Sequence, residues 1–130
     1  MSQPTLGTAV THRRYVPYSH AHYAGSLVDG AYGLGLFGDA ATDLCIVTDG
    51  DEGLFASYDD VQFLAPIRAG DVIEVTATLT RVGTRSRGIS FTLTVAARGE
   101  PSEQAPGAAV VLDVPLVAIT ASGTVVVPEK

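Results

Sequence analysis

Two carboxylates four residues apart, Asp39 and Asp43, stand in an otherwise apolar segment of the chain. Apolar residues keep helical spacing from Leu27 to Ala41, so residues 26–43 are predicted to form a helix. Positions four apart lie nearly above one another on a helix, and the two acids therefore share one face. A carboxyl group in such a poorly solvated place has a raised pKa and can act in proton transfer.

Both acids are candidates for proton transfer, and Asp43 has an ordinary interpretation as well. Asp39 can take a proton from a substrate carbon or shuttle a proton, because it lies beyond the helix midpoint and away from the positive end of the macrodipole. Asp43 can share a proton with Asp39, hold a substrate ammonium group, or be a polar residue near the end of the helix. The residue types leave these roles of Asp43 open.

The start of the predicted helix offers hydrogen-bond donors to a substrate. Ser26 is expected to cap it, and the backbone N–H groups from Gly25 to Gly30 then lack intrahelical acceptors and can polarise a carbonyl oxygen. His22 and Tyr23 come just before this start, where their side chains can hydrogen-bond a substrate or anchor the loop. His22 and the histidine two positions before it have no clear third ligand, so no metal site is expected.

A group of arginines surrounds the predicted turn at residues 83–84. The candidate phosphate-binding residues of this hairpin are Arg81, Thr84, Arg85, Ser86 and Arg87. Guanidinium groups and backbone donors at a tight turn can clamp a phosphate. Exposed arginines on a hairpin are equally common as residues that keep a protein in solution, so both interpretations stand.

Composition narrows the class of protein. The chain has 130 residues, 46% of them hydrophobic, which suffices for one domain over residues 1–130, with residues 1–8 as a loose tail. A formal charge of -6 argues against a nucleic-acid or anionic-membrane surface. No apolar run of membrane-spanning length and no leader pattern is visible. The lone Cys45 is expected to be a buried small hydrophobe, in agreement with a cytoplasmic location.

Beyond Asp43 the pattern changes to β-branched runs and turn residues, which predicts strands. One strand is expected before the helix, at 8–18, and the later strands are expected at 44–48, 55–67, 72–82, 85–98 and 108–127. The last of them is expected to bend at Pro115. The result is an α+β domain with one long helix and an antiparallel meander of about five to six strands. One helix covers only one face of such a sheet, so a homodimer is expected.

Several segments of the chain resemble a known family. FLAPIRAGDVIE at 63–74 resembles the strand, turn and strand that follow the helix in hotdog acyl-CoA enzymes. More specific segments are HYAG at 22–25, LVDGA at 27–31, LFGD at 36–39, DGDEGLF at 49–55 and SYD at 57–59. Together they resemble the small hotdog ammonia-lyases that act on beta-amino acyl-CoA thioesters, of the 3-aminobutyryl-CoA and beta-alanyl-CoA type.

The resemblance implies a hotdog fold, in which an antiparallel sheet wraps the long helix. It implies a lyase that removes ammonia from a short 3-amino acyl-CoA, or adds ammonia or a small amine to an enoyl-CoA, with coenzyme A as part of the substrate and no cofactor. Catalytic candidates are then Asp39, Asp43, Tyr23 and His22, in a dimer or a trimer of dimers. Two alternatives stay open: a thioesterase whose helix carboxylate activates water, and a non-catalytic acyl-CoA binding module.

Overall fold

One long helix and five strands make up most of the regular structure of residues 3–129, which are the residues that the computed structural model describes. The helix α1 spans Gly30–Asp49. The strands are β1 Ala9–Tyr15, β2 Leu54–Phe63, β3 Val72–Val82, β4 Ser86–Gly99 and β5 Ala109–Val126. Two short 3-10 turns, Tyr18–His20 and Ala24–Ser26, connect β1 to α1.

The strands form one antiparallel sheet in the order β1-β3-β4-β5-β2. β3 and β4 make the predicted hairpin, in which Val82 lies opposite Arg87. β2 pairs with β5 and β1 pairs with β3, so the predicted simple meander is wrong. This crossing of the chain leaves β1 and β2 as the two edges of the sheet, and the α+β arrangement of one helix against an antiparallel sheet is confirmed.

The core lies between α1 and one face of the sheet. Alternate residues of the central strands point toward the helix and are buried, among them Ile73, Val75, Leu79, Ile89, Phe91, Leu93, Ile119 and Val125. Phe37 of α1 stacks on Phe91, with ring centroids 4.9 Å apart. A Cβ added at Gly33 would overlap Cδ1 of Ile119, so the helix can approach β5 this closely only with glycine at that point.

α1 runs past its predicted end. The apolar run at 44–48 is the last part of the helix, and the prediction of a strand there is wrong. Leu44 is fully buried while Ile46 is 52% exposed, as expected for two sides of a helix. A short apolar run carries no period that separates a strand from a buried helix. The helix ends at Gly50, whose φ is 67° and whose N–H donates to the carbonyl oxygen of Ile46 at 2.9 Å.

α1 also begins later than predicted. Its N-cap residue is Asp29, and the prediction of Ser26 in that role is wrong. Ser26 has a φ of 62°, in the left-handed region that residues other than glycine rarely adopt. Its carbonyl oxygen accepts a hydrogen bond from Ala69 N at 2.7 Å, so this residue belongs to the turn that leads into the helix.

The remaining elements agree with the predicted ones apart from their ends. β5 carries extra residues around Pro115, because Val95 lies opposite Leu116 while Ala97 lies opposite Val111. Of the predicted tail, residues 1 and 2 lie outside the described residues, and Gly7 N donates to the carbonyl oxygen of a β3 residue at 2.9 Å. Within residues 3–129, no helix is long and apolar enough to cross a lipid bilayer.

Candidate functional site

A cavity of about 430 Å³ opens at the N-terminal end of α1. The residues that line it come from the helix start, from the segment after β2 and from β5, and they are Val28, Asp29, Gly30, Phe63, Leu64, Ala65, Pro66, Ile67 and Ile119. Asp29 is the one ionisable residue among them. A small apolar cavity of this kind suits a short alkyl or acyl group.

Backbone hydrogen bonds join two walls of this cavity. Val28 N donates to the carbonyl oxygen of Ile67 at 3.0 Å, and Ala69 N donates to that of Ser26 at 2.7 Å. The chain that enters α1 therefore runs beside the segment that follows β2. Residues 63–67 were expected to lie in a strand, and the one sequence signal against this was Pro66, which cannot continue a central strand.

An arginine and an aspartate hold the segment after β2 in place. Asp71 is completely buried, and its carboxylate accepts the backbone N–H of Arg68 at 2.8 Å and two N–H groups of Arg98 at 2.9 Å each. Arg98 also donates to the carbonyl oxygen of Pro66 at 3.0 Å. The hydrogen bond to Asp71 raises the pKa of Arg98 above its ordinary value, so the guanidinium remains charged. No local pattern in the sequence indicates this pair.

The first N–H groups of α1 are open to a ligand. Tyr32 N donates to the carbonyl oxygen of Asp29 at 3.1 Å, whereas the N–H groups of Gly30 and Ala31 have no acceptor among the described residues. Gly30 lines the cavity, and an added Cβ there would lie 3.0 Å from the ring of Phe63. The geometry therefore favours Gly30 as the donor that meets a carbonyl oxygen.

Backbone hydrogen bonds within the loop before α1 hold its two ends together. The N–H groups of His22 and Tyr23 donate to the carbonyl oxygen of Leu27 at 2.8 and 2.9 Å, and their rings meet edge to face with centroids 4.6 Å apart. Gly25 has a φ of 74° at the turn. Backbone hydrogen bonds therefore hold the loop in place without the side chains of His22 and Tyr23. The cavity is not lined by the candidate residues His22, Tyr23, Gly25 and Ser26.

Asp39 is exposed on the face of α1 that points away from the sheet. The expectation that its carboxylate is poorly solvated is therefore wrong for the single chain. Gly35 and Gly38, nearby on α1, have no atom within 4 Å of an added Cβ, so this part of the helix is open. Asp39 is nine residues beyond Gly30, which is about 13.5 Å of helical rise, and the single chain does not bring it to the cavity.

Asp43 has a partner that the sequence did not indicate. Its Oδ2 lies 2.7 Å from Nε2 of His12 on β1. The side chains of Asp43 and His12 are 44% and 35% exposed, so the pair is only partly shielded from water. The pair ties the edge strand to the helix, and it occupies the carboxylate that we expected to share a proton with Asp39 or to hold an ammonium group.

Arg87 is not available to a phosphate, which corrects its predicted role. Its side chain is 7% exposed, and its Nη2 lies 2.7 Å from Oδ1 of Asp49 at the end of α1. Its Nη1 donates to the carbonyl oxygens of Gly83 and Ser86, each at 2.9 Å. The guanidinium therefore joins the β3–β4 turn to the C-terminal end of the helix.

The rest of the arginine hairpin is nearer the surface. Arg81 donates to Ser86 Oγ at 3.1 Å and to Thr124 Oγ1 at 3.3 Å, while Thr84 and Arg85 are exposed. The hairpin lies at the opposite end of a 20-residue helix from the cavity, a distance of about 30 Å. One chain therefore does not bring these residues and the cavity into one site.

Cys45 is 1% exposed, which confirms the prediction of a buried small hydrophobe. Burial raises the pKa of its thiol to about 11, and the carboxylate of Asp49 adds to the effect, so the thiol is a poor nucleophile. In the part of the chain that the structure describes, no group of three or more His, Cys, Asp or Glu residues could hold a metal ion.

Comparison with known proteins defines the class. Residues 26–101 match the family described as the thioesterase superfamily, and the chain belongs to that superfamily. The chain is 50% identical over 111 residues to the 3-aminobutyryl-CoA ammonia lyase of Acetoanaerobium sticklandii. The aligned residues cover 84% of this chain and 86% of that protein. This relationship confirms the resemblance to the ammonia-lyases.

Solved structures support the same grouping. The beta-alanyl-CoA:ammonia lyase from Clostridium propionicum is 30% identical, with a TM-score of 0.89 over 96% of this chain and 88% of that chain. A hexameric hotdog fold thioesterase of Campylobacter jejuni is 18% identical, with a TM-score of 0.71 over 98% of this chain and 84% of that chain. The hotdog fold is thereby confirmed.

Proposed function

We propose that this protein is a carbon–nitrogen lyase that removes ammonia from a short 3-amino acyl-CoA thioester, and that adds ammonia to the enoyl-CoA in reverse. The observation that carries the proposal is the apolar cavity beside the unpaired N–H of Gly30. The two ammonia-lyase relatives support ammonia rather than water as the reacting group. No cofactor is needed beyond the coenzyme A of the substrate. The free Cys45 suits the reducing cytoplasm, which is the proposed location.

The elimination needs an electrophile, a base and a proton for the departing amine. The N–H of Gly30, at the positive end of α1, stabilises negative charge on the thioester oxygen while a proton leaves the alpha carbon. The electron pair of that C–H bond forms the new carbon–carbon double bond, and the electrons of the C–N bond leave with nitrogen. The carboxylate of Asp39 takes the alpha proton and gives it to ammonia, which departs as ammonium.

A second copy of the chain brings the base and the cavity together in this proposal. β2 is an edge strand that pairs on one side only, and the helix face of Asp39 is open at Gly35 and Gly38. Two antiparallel copies of α1 that cross near Gly35 place Asp39 of the partner subunit opposite Ala31, next to the cavity. The dimer then has two such sites. A trimer of such dimers is compatible with it, and the hotdog fold thioesterase of Campylobacter jejuni is a hexamer.

The proposed dimer can be tested by the oligomeric state of the protein. The purified protein is expected to be a dimer or a multiple of a dimer by light scattering. Gly35→Glu adds a charge at the crossing point without a clash inside the chain, because nothing lies within 4 Å of an added Cβ there. This variant is expected to fold, to lose association and to lose activity together. An active, stable monomer, of parent or variant, would contradict the shared site.

Crotonyl-CoA with ammonium tests the reaction itself. We expect the absorbance of the enoyl thioester to fall without release of free thiol, and the reverse change with 3-aminobutyryl-CoA. The membership of the thioesterase superfamily makes hydrolysis the second candidate. Hydrolysis would also lower this absorbance, because it breaks the conjugated thioester, but it would release one free thiol for each thioester consumed and so establish that alternative. Binding of the thioester with neither change would indicate a binding module.

A further inference from the structure

Asp29 is the one ionisable residue among the residues that line the cavity at the start of α1. Asp29 is partly buried, and the other described residues that line the cavity are apolar or glycine. A carboxylate in such a wall costs free energy unless a positive group pairs with it. No basic residue does so within the described part of the chain, since none of the ion pairs found there includes Asp29.

Asp29 also lacks the usual interaction of its position. An aspartate at the N-cap normally accepts a hydrogen bond from an N–H group in the first turn of the helix. The side chain of Asp29 makes no such bond, although its backbone has the extended conformation of an N-cap, with φ of -77° and ψ of 162°. The carboxylate therefore has hydrogen-bonding capacity that neither the helix nor a neighbouring side chain uses.

We infer that the carboxylate of Asp29 binds the ammonium group of the substrate and so selects amine-bearing thioesters; this inference rests on the proposed lyase function. The amine is on the carbon beta to the thioester carbonyl. A carbonyl oxygen held at the N–H of Gly30 therefore brings the amine close to the residue before Gly30, which is Asp29. This assigns to Asp29 the role that the sequence had suggested for Asp43, whose carboxylate already has His12 as a partner.

The arrangement explains selection by charge as well as by shape. A charge-assisted hydrogen bond to the ammonium group stabilises the amino substrate. An acyl chain without an amine leaves the same carboxylate unpaired in an apolar cavity, which lowers its affinity. The apolar residues of the cavity receive the alkyl part of either ligand and do not distinguish between them.

Two unreactive thioesters test the role of Asp29 independently of turnover. 3-Amino-2,2-dimethylpropanoyl-CoA has no alpha proton to remove, and 2,2-dimethylbutanoyl-CoA replaces its amine by a methyl group. Calorimetry would measure the dissociation constant of each with the parent protein and with Asp29→Asn, which keeps the side-chain shape and is an equally good N-cap. We expect the variant to bind the amino thioester about 10-fold to 100-fold more weakly and the methyl analogue as well as or better than the parent.

A matched control removes a negative charge elsewhere. Glu103→Gln changes an exposed residue of the loop between β4 and β5 and is expected to leave both dissociation constants unchanged. Equal weakening of both ligands by Asp29→Asn, unchanged binding of the amino thioester, or no binding of either ligand to the parent would each overturn the inference. The crotonyl-CoA assay decides the lyase function separately, since neither of these two ligands has an alpha proton to eliminate.

Discussion

Asp39→Asn is expected to lower the turnover number for amination of crotonyl-CoA by about 10²-fold to 10⁴-fold, the usual contribution of a positioned acid or base. The carboxamide keeps the shape of the side chain but cannot accept the alpha proton. Asp39 is exposed in the single chain, so the variant is expected to fold like the parent. Initial rates at saturating substrate measure the effect, and the KM of crotonyl-CoA is expected to change little.

Asp43→Asn is the matched control for this result. It is one turn farther along α1 and loses the same charge, but its carboxylate pairs with His12. We expect a smaller loss of turnover from it than from Asp39→Asn. A large loss with Asp43→Asn alone would exchange the two roles, and full activity of both variants would show that the helix acids are structural.

The elements of this fold could be predicted where one pattern dominates over many residues. Runs of β-branched residues on both sides of a turn predicted β3 and β4, and the two strands alternate buried and half-buried positions over most of their length. The run at 44–48 carried no such pattern, and only Gly50, with its left-handed conformation, marked the true end of the helix. The pairing of β2 with β5 depends on the whole sheet, and no local pattern indicates it.

The candidate site was harder to predict because its parts are distant along the chain. Arg98 and Asp71 are 27 positions apart, and Asp43 and His12 are 31 apart. Residue types indicated candidate catalytic acids and candidate phosphate-binding arginines. They could not indicate which of these side chains already form ion pairs in the folded protein. Asp29 was visible in the sequence only as one residue of a resembling segment, and its place in an apolar cavity became evident only from the fold.

Arg87→Ala is expected to lower the free energy of unfolding by about 3–5 kcal/mol, the usual effect of removing one partner of a buried ion pair. Asp49, whose side chain is 3% exposed, would lose the guanidinium that neutralises it. The carbonyl oxygens of Gly83 and Ser86 would lose a donor as well. Urea denaturation followed by circular dichroism would measure the change.

Arg85→Ala separates this structural role from phosphate binding. Arg85 is exposed on the same turn, and its loss is expected to change the free energy of unfolding by less than about 0.5 kcal/mol.

Arg87→Lys keeps a positive charge but cannot form the forked contact of a guanidinium. Its free energy of unfolding is therefore expected to lie between those of the parent and Arg87→Ala. Because Arg87 is buried against Asp49 and does not face a ligand, the folded Arg87→Lys protein is expected to keep the parent's KM for crotonyl-CoA. A raised KM with undiminished stability would instead mean that Arg87 leaves Asp49 in the assembled protein and binds the phosphates of coenzyme A.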